Sequence, residues 1–158
     1  MPLDRLVISG IHENNKTYSL RVSWGGGNGL LIIGEPQPIS DTVTELTYKL
    51  NSATIVDMGD VPKILTNSYG SPSLDPNASL KSWIAVPLRT LSSTIGVLYI
   101  RSKKPDAYQE IDRRVVEMIG SHIASGMSAQ TAYMRTKAEA TERTASQKLD
   151  EWLAATPT

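Results

Sequence analysis

The sequence predicts an α+β domain built on an antiparallel sheet and closed by a long C-terminal helix. Two features point to the sheet and one to the helix. Ser82-Trp83-Ile84-Ala85-Val86-Pro87-Leu88-Arg89 and Ile95-Gly96-Val97-Leu98-Tyr99-Ile100-Arg101-Ser102 are short apolar runs rich in β-branched residues. The corner Thr90-Leu91-Ser92-Ser93-Thr94 joins them as a hairpin with a loop of about 5 residues. A second hairpin stands at the start of the chain, and from Glu110 onward the apolar residues recur at helical spacing. Neither arm of the 82–102 hairpin alternates between polar and apolar, so both of its faces are covered and it lies at the centre of the fold.

In chain order, Leu6-Val7-Ile8-Ser9-Gly10-Ile11 reads as a buried strand. The turn residues Glu13-Asn14-Asn15-Lys16 follow. Tyr18, Leu20, Val22 and Trp24 then alternate with Ser19, Arg21 and Ser23, predicting an outer strand with one face to water. His12-Glu13 does not complete a zinc-protease motif, because Lys16 stands where the second His is needed. Gly25-Gly26-Gly27-Asn28-Gly29 has the flexibility to bring backbone amides to a phosphate. No Gly-Lys-Ser/Thr follows and Leu30 to Ile33 are apolar, so a strand-to-strand connection is expected.

Ser40-Asp41 offers an N-cap, and Val43, Leu46 and Leu50 recur at helical spacing up to Asn51 with Glu45 near the first turn. This short amphipathic helix covers one sheet face. Ala53-Thr54-Ile55-Val56 is a short strand. Asp57-Met58-Gly59-Asp60 turns the chain into a helical turn near Val61 to Leu65. Thr66 to Ser79 is mostly Asn, Ser, Gly, Pro and Asp, a loop of the length that is functional or disordered in compact domains.

Lys103-Lys104-Pro105-Asp106 ends the sheet. Ile111, Val115, Met118, Ile119, His122, Ile123, Gly126 and Met127 then form one helical stripe, opposite Asp112, Arg113, Glu117 and Ser121. A helix so patterned must pack on something. His122 has no second His or carboxylate four residues away, and reads as a half-buried core or interface histidine rather than a ligand. Beyond Met127, alanines and long charged residues favour helix by propensity, but the apolar stripe is too thin to hold a free helix. A helix that meets its symmetry mate is expected, with a partly ordered tail as the alternative. The division is a domain over 1–128 and a helical linker or tail over 129–158.

A chain of 158 residues suits one domain with an ordinary hydrophobic core. Sixteen basic and sixteen acidic residues cancel without any block of like charge, which argues against nucleic acid or an anionic membrane as partner. The absence of cysteine removes disulfides, thiolate nucleophiles and thiolate metal sites. No secretion signal opens the chain and no stretch of about 18 apolar residues occurs, so a cytoplasmic protein without membrane insertion is expected.

The order of elements and the wording of the central hairpin resemble the GAF domain family. Ser82-Trp83-Ile84-Ala85-Val86-Pro87-Leu88 is similar to that family's small residue, apolar run and Pro-Leu pair. Thr94 to Ile100 resembles its Ile-Gly-Val-Leu strand, and Pro105-Asp106-Ala107-Tyr108 with Asp112 resembles its entry into the last helix. Gly34-Glu35-Pro36 to Ile39 and Asn51 to Asp57 resemble the turn into the second helix and the strand after it. The resemblance spans about residues 4 to 128. It implies a GAF/PAS-like sheet of five to six strands, helices on one face and a helix-loop cover on the other. The family's usual helix ahead of the first strand is missing, which under the resemblance implies a piece of a longer sensor.

Three of the family's activities are disfavoured on the residues. Bilin attachment and methionine sulfoxide reduction both rely on Cys, and the Asn-Lys-Phe-Asp-Glu signature of cyclic-nucleotide binders needs Phe, which this chain lacks. No cofactor is expected beyond an unknown small-molecule effector. With no Gly-x-Ser-x-Gly elbow and no partner for His12 or His122, no catalytic constellation is visible and no enzyme is expected.

In the family, small molecules lie between one sheet face and the helix-loop cover. The resemblance therefore implies Asp57, Asn67, Tyr69, Asn77, Ser82, Trp83 and Tyr99 as ligand-binding candidates, an aromatic wall with a few polar groups. Core packing accounts for Trp83 and Tyr99 as well as ligand contact does, and turn chemistry accounts for the loop residues. Two functions stand: a sensor module that relays ligand occupancy through the last helix to a covalently attached output domain, or a dimerisation module with a vestigial pocket. Either accommodates a homodimer through Ile111, Val115, Met118, Ile119, His122 and Met127.

Overall fold

The computed structural model describes residues 1–12, 14–25, 31–32, 34–40, 42–57 and 81–156. The elements are β1 (Arg5–Ile11), β2 (Thr17–Gly25), β3 (Leu31–Ile32), β4 (Gln37–Pro38), α1 (Val43–Leu50), β5 (Thr54–Asp57), β6 (Ser82–Arg89), β7 (Thr94–Ser102) and α2 (Glu110–Ala155). The sheet runs β3-β2-β1-β7-β6-β5, with β4 also pairing β2, and the pairs are antiparallel. The β6–β7 hairpin occupies the middle, as the unbroken apolar runs require. Every residue from Ser82 to Leu88 and from Gly96 to Ser102 is buried.

Long-range pairing joins the two ends of the domain, Arg5 opposite Arg101 through Gly10 opposite Gly96. The approach there is close. A Cβ on Gly96 would lie 2.1 Å from the carbonyl oxygen of Ser9, so no side chain fits without moving β1.

Because successive strand residues point to opposite faces, the hairpin presents two distinct surfaces. On one, Trp83, Ala85, Val97, Tyr99 and Val7 cluster with Val43 of α1, and Leu20 and Val56 pack against them. On the other lie Ile84, Val86, Leu88 and Leu98, against which α2 sets the buried residues Val116, Gly120 and Ala124.

Three details differ from expectation. The outer strand β2 does not keep one face to water: Ser23 is buried and Trp24 is 48% exposed. A bulge opposite Ile8 and Ser9 inserts Arg21, so Ile8 pairs Val22 while Ser9 pairs Leu20. The extra residue moves Tyr18 and Leu20 to the α1 side and turns Val22 and Trp24 to the other. The N-cap of α1 is Thr42, whose Oγ1 accepts from the Glu45 amide at 3.1 Å; Asn51 closes the helix at φ 50°. The strand after α1 is Thr54–Asp57, one residue later than the apolar run suggests. The expected helical turn near 61–65 and the loop over 66–79 lie outside the described residues.

The third-turn face of α2 explains a further correction. Ile111, Val115, Met118 and Ile119 are exposed, and so is His122, which is not half-buried as its place in the stripe suggests. The sheet instead meets the row Val116, Gly120, Ala124, spaced by four. Small residues let the helix backbone approach bulky strand side chains. A Cβ on Gly120 would stand 2.9 Å from Cγ1 of Val86.

The chain forms two compact units, Met1–Ala124 and Ser125–Thr158. In the second, the described residues are helical through Ala155 and exposed apart from half-buried Met127. Thr131, Thr136, Thr141 and Thr144 each donate a side-chain hydrogen bond to the carbonyl four residues before. Tyr133, Met134, Leu149, Trp152 and Leu153 leave large apolar surface in water.

Candidate functional site

The α1 side of the sheet holds what an apolar core does not need. The β1–β7 register sets Arg5 directly opposite Arg101, and both are buried, at 4% and 6% exposure. Strand alternation puts them on the same face as Trp83, Tyr99 and Val7. The Arg101 guanidinium carbon lies 5.3 Å from the centroid of the Tyr99 ring and 5.9 Å from that of Trp83, within cation–π range of both. Arg5 Nη2 donates to Ser23 Oγ at 3.2 Å.

Two tyrosines complete the surroundings. Burial pushes the Tyr99 hydroxyl well above its ordinary range, against the opposing effects of its hydrogen bond with Thr44 of α1 and of the Arg101 charge. Burial likewise raises Tyr18, and Arg101 again acts in the lowering direction. Arg101 thus lies against Trp83 and Tyr99, with Arg5 across the ladder, and its charge is felt at Tyr18.

Like charges directly opposite one another destabilise a strand pair, and burying a cation costs more than burying any neutral group. The rings offset part of that cost. Arg5 and Arg101 each make further interactions within the protein, so neither guanidinium is without a partner.

The sequence-derived site residues divide into three groups. Trp83 and Tyr99 are brought together, around Arg101. Asp57 and Ser82 point to the opposite face and hold the turn that leads into α2. Asp57 Oδ1 accepts from the Asp106 amide at 3.0 Å. Ser82 Oγ donates to the Lys104 carbonyl at 2.6 Å and accepts from the Ala107 amide at 3.3 Å. Asn67, Tyr69 and Asn77 lie outside the described residues.

The same turn is tied from the β1 side. Asp4 Oδ2 accepts from Ser102 Oγ at 3.1 Å and from the Lys103 amide at 2.8 Å, and Tyr108 donates to the Pro2 carbonyl at 3.0 Å. The backbone hydrogen bond from Lys103 chiefly, with Ser102 and the nearby lysine charges, holds the Asp4 carboxyl below its ordinary value of 3.8.

Arg5, Arg101, Tyr18 and Ser23 were not among the expected site residues. The available signal was Arg101 itself, a charge ending an otherwise apolar run buried on both faces. An open groove of about 390 Å³ beside α2 is lined by Pro87, Arg89, Arg114, Glu117 and Met118 among others. Among the described residues no group of three His, Cys, Asp or Glu is placed to hold a metal ion.

A model of the GAF domain matches residues 8–128. No curated protein matches the chain. Solved structures share its fold. The GAF domain of a two-component sensor histidine kinase from Bacillus halodurans superposes with a TM-score of 0.66 at 18% identity, covering 84% of this chain and 86% of that one. The GAF domain of a phosphoenolpyruvate-protein phosphotransferase from Coxiella burnetii gives 0.66 at 13% identity, with 84% and 76% covered. A type II free methionine-R-sulfoxide reductase from Thermoplasma acidophilum gives 0.58 at 21% identity, with 78% and 77% covered.

Proposed function

Since the chain belongs to the GAF domain family, a family found in sensor and signalling proteins, we propose that it is a non-catalytic, small-molecule-sensing regulatory domain acting in the cytoplasm. It relays ligand occupancy through α2 to a covalently attached output domain. The observation that carries this reading is Arg101, buried between the rings of Trp83 and Tyr99 and opposite Arg5. Among the described residues no helix is long and apolar enough to cross a membrane. One similar fold is a methionine sulfoxide reductase, but this chain has no cysteine to supply a thiolate.

A route for the relay runs along the strand ends. Trp83 pairs Arg101 in register, and their immediate neighbours Ser82 and Ser102 pair as well. The first pair faces the α1 side and the second holds the turn into α2. A shift of these strand ends on ligand binding therefore alters hydrogen bonds to Lys103, Lys104, Asp106 and Ala107. The ligand can move α2 only as far as its affinity differs between the two arrangements.

Hydrogen exchange across a panel of metabolites tests this. A true effector slows amide exchange on the α1 side and changes it over residues 103–116. If every ligand that binds leaves 103–116 unchanged, the relay is rejected.

A second reading has its own observation: Ile111, Val115, Met118 and Ile119 are large, apolar and exposed on α2. This favours a dimerisation module, with the exposed His122 on the same helix. Sedimentation equilibrium at micromolar concentration reports a dimer if it holds, and a stable monomer rules it out.

A further inference from the structure

We infer that the second unit of the chain pairs in parallel with the same unit of a second copy, through an apolar row of its own that is separate from the Ile111 row. The row is Met134, Ala138, Thr141, Ala145, Leu149 and Trp152, all of them exposed. Steps of four and three residues keep these positions on one face of a helix, and no charged side chain stands among them. Thr141 does not interrupt the row, because its hydroxyl already donates to the Lys137 carbonyl at 2.9 Å.

The Ile111 row does not supply this face. Counted on in heptads, Ile111, Val115, Met118 and His122 lead to Glu139, Arg143 and Asp150 in the second unit. Sequence spacing therefore gives the second unit a row of its own, which no dimer seam continued from Ile111 would use.

The occupant follows from the helix and its charges. A helix so thinly apolar is marginal alone in water, and Met134, Leu149 and Trp152 leave 57%, 55% and 64% of their surface exposed. The small Ala138 and Ala145 let a second backbone approach between them. Lys137 and Glu142 border the row on opposite sides. Among the described residues neither side chain makes an ion pair within its own chain. In a parallel pair seamed on this row, Lys137 of one copy stands across from Glu142 of the other, five residues on, and two-fold symmetry forms that contact twice. No like charges meet, since Gln130 faces Arg135 and Thr144 faces Leu149. An antiparallel pair would set Glu142 against Arg135 instead, and Arg135 already interacts within its own chain. The borders are thus complementary to a second copy in parallel register. This pairing needs no ligand, so the sensing role stands or falls separately from it.

The full chain has no cysteine, so one introduced thiol reports one position. Four single variants are oxidised at micromolar concentration: Ala138→Cys and Ala145→Cys on the row, Glu139→Cys and Arg143→Cys on the continuation of the Ile111 count. All four positions are exposed, so each variant tests pairing without disturbing the core. Disulfide-linked dimers are expected from the first two and not from the second two. Equal linkage at all four, linkage at Glu139→Cys and Arg143→Cys instead, or none at any position overturns the inference. In the Ala138→Cys background, Glu142→Lys should slow linkage about fivefold, the worth of two exposed ion pairs, and adding Lys137→Glu should restore it. Restoration by Arg135→Glu rather than Lys137→Glu, or by neither, overturns the parallel pairing.

Discussion

The two faces of the β6–β7 hairpin are made by the same strands and differ by one residue in register, yet they obey different rules. Toward α2 the hairpin presents Ile84, Val86, Leu88 and Leu98 to Val116, Gly120 and Ala124, side chains chosen by volume alone. Toward α1 it presents Trp83, Tyr99 and Arg101, joined by Arg5, Tyr18 and Ser23, where charge and hydrogen bonding matter. On the proposed function, one face of the sheet serves stability and the other recognition. Substitutions on the first should change folding alone, and those on the second should change binding more than folding.

The largest effect is expected from Leu88→Ala. Leu88 is fully buried under α2, and truncation should cost about 2–5 kcal/mol with the spread set by how far the helix collapses into the space. Urea denaturation with an unchanged m-value measures it. Effector affinity at the far face should be unchanged in the folded fraction. A parallel loss of affinity would break the division between faces. Next comes Gly120→Val, which forces a branched side chain where even a Cβ stands 2.9 Å from Val86 Cγ1. Overpacking of this kind costs about 1–3 kcal/mol and should displace α2, with new chemical shifts confined to 113–124 and the 84–88 strand.

These two residues also show what could be read beforehand. The central hairpin was legible because Ile84 to Leu88 and Val97 to Ile100 are apolar without alternation, which only a sheet buried on both sides explains. The packing face of α2 was not. Gly120 and Ala124 carry almost no hydrophobicity, so the 3.6-residue period selects the bulkier row through Ile111, Val115 and Met118, which is exposed. The phase of β2 was hidden for another reason. The bulge at Arg21 has no composition of its own and exists only in the pairing with Ile8 and Ser9. In the candidate site, Trp83 and Tyr99 were visible as aromatics on central strands. Arg5 and Arg101 acquire meaning only when the register sets opposite ends of the domain side by side.

A smaller effect on stability, and a sharper probe of the α1 side, is Tyr99→Phe. It keeps the ring that faces Arg101 and removes the hydroxyl hydrogen-bonded to Thr44 Oγ1. Thr44 is 2% exposed, so its hydroxyl would be left without that partner at a cost of about 1–2 kcal/mol. If the hydroxyl only ties α1 to the sheet, effector affinity follows the wild type. If it contacts ligand, affinity falls further than the stability change, and the two readouts separate.

The smallest effect concerns the knot where the apolar face ends, and it is read through pH. Asp4 accepts hydrogen bonds from the Lys103 amide and Ser102 Oγ, and its carboxyl is held below the ordinary 3.8. A carboxyl depressed in the folded state contributes stability that is fully present above its unfolded value and is lost as pH falls through the folded one. Wild type should therefore lose thermal stability relative to Asp4→Asn as pH drops below about 4, and the difference should be constant from about pH 5 upward. Glu110, lowered to about 2 chiefly by its hydrogen bond with Arg113, has the same sign and sits in both proteins, so the difference between them isolates Asp4. The carboxylate is close to solvent, which keeps the stability change below that of Tyr99→Phe. Exchange of the Lys103 amide gives the sharper readout. It should be faster in Asp4→Asn at neutral pH and should match wild type once Asp4 is protonated. If exchange at Lys103 is the same in both proteins throughout, the turn into α2 is held from the Ser82 and Asp57 side alone, and the proposed relay would have to run through β5 and β6 rather than β1.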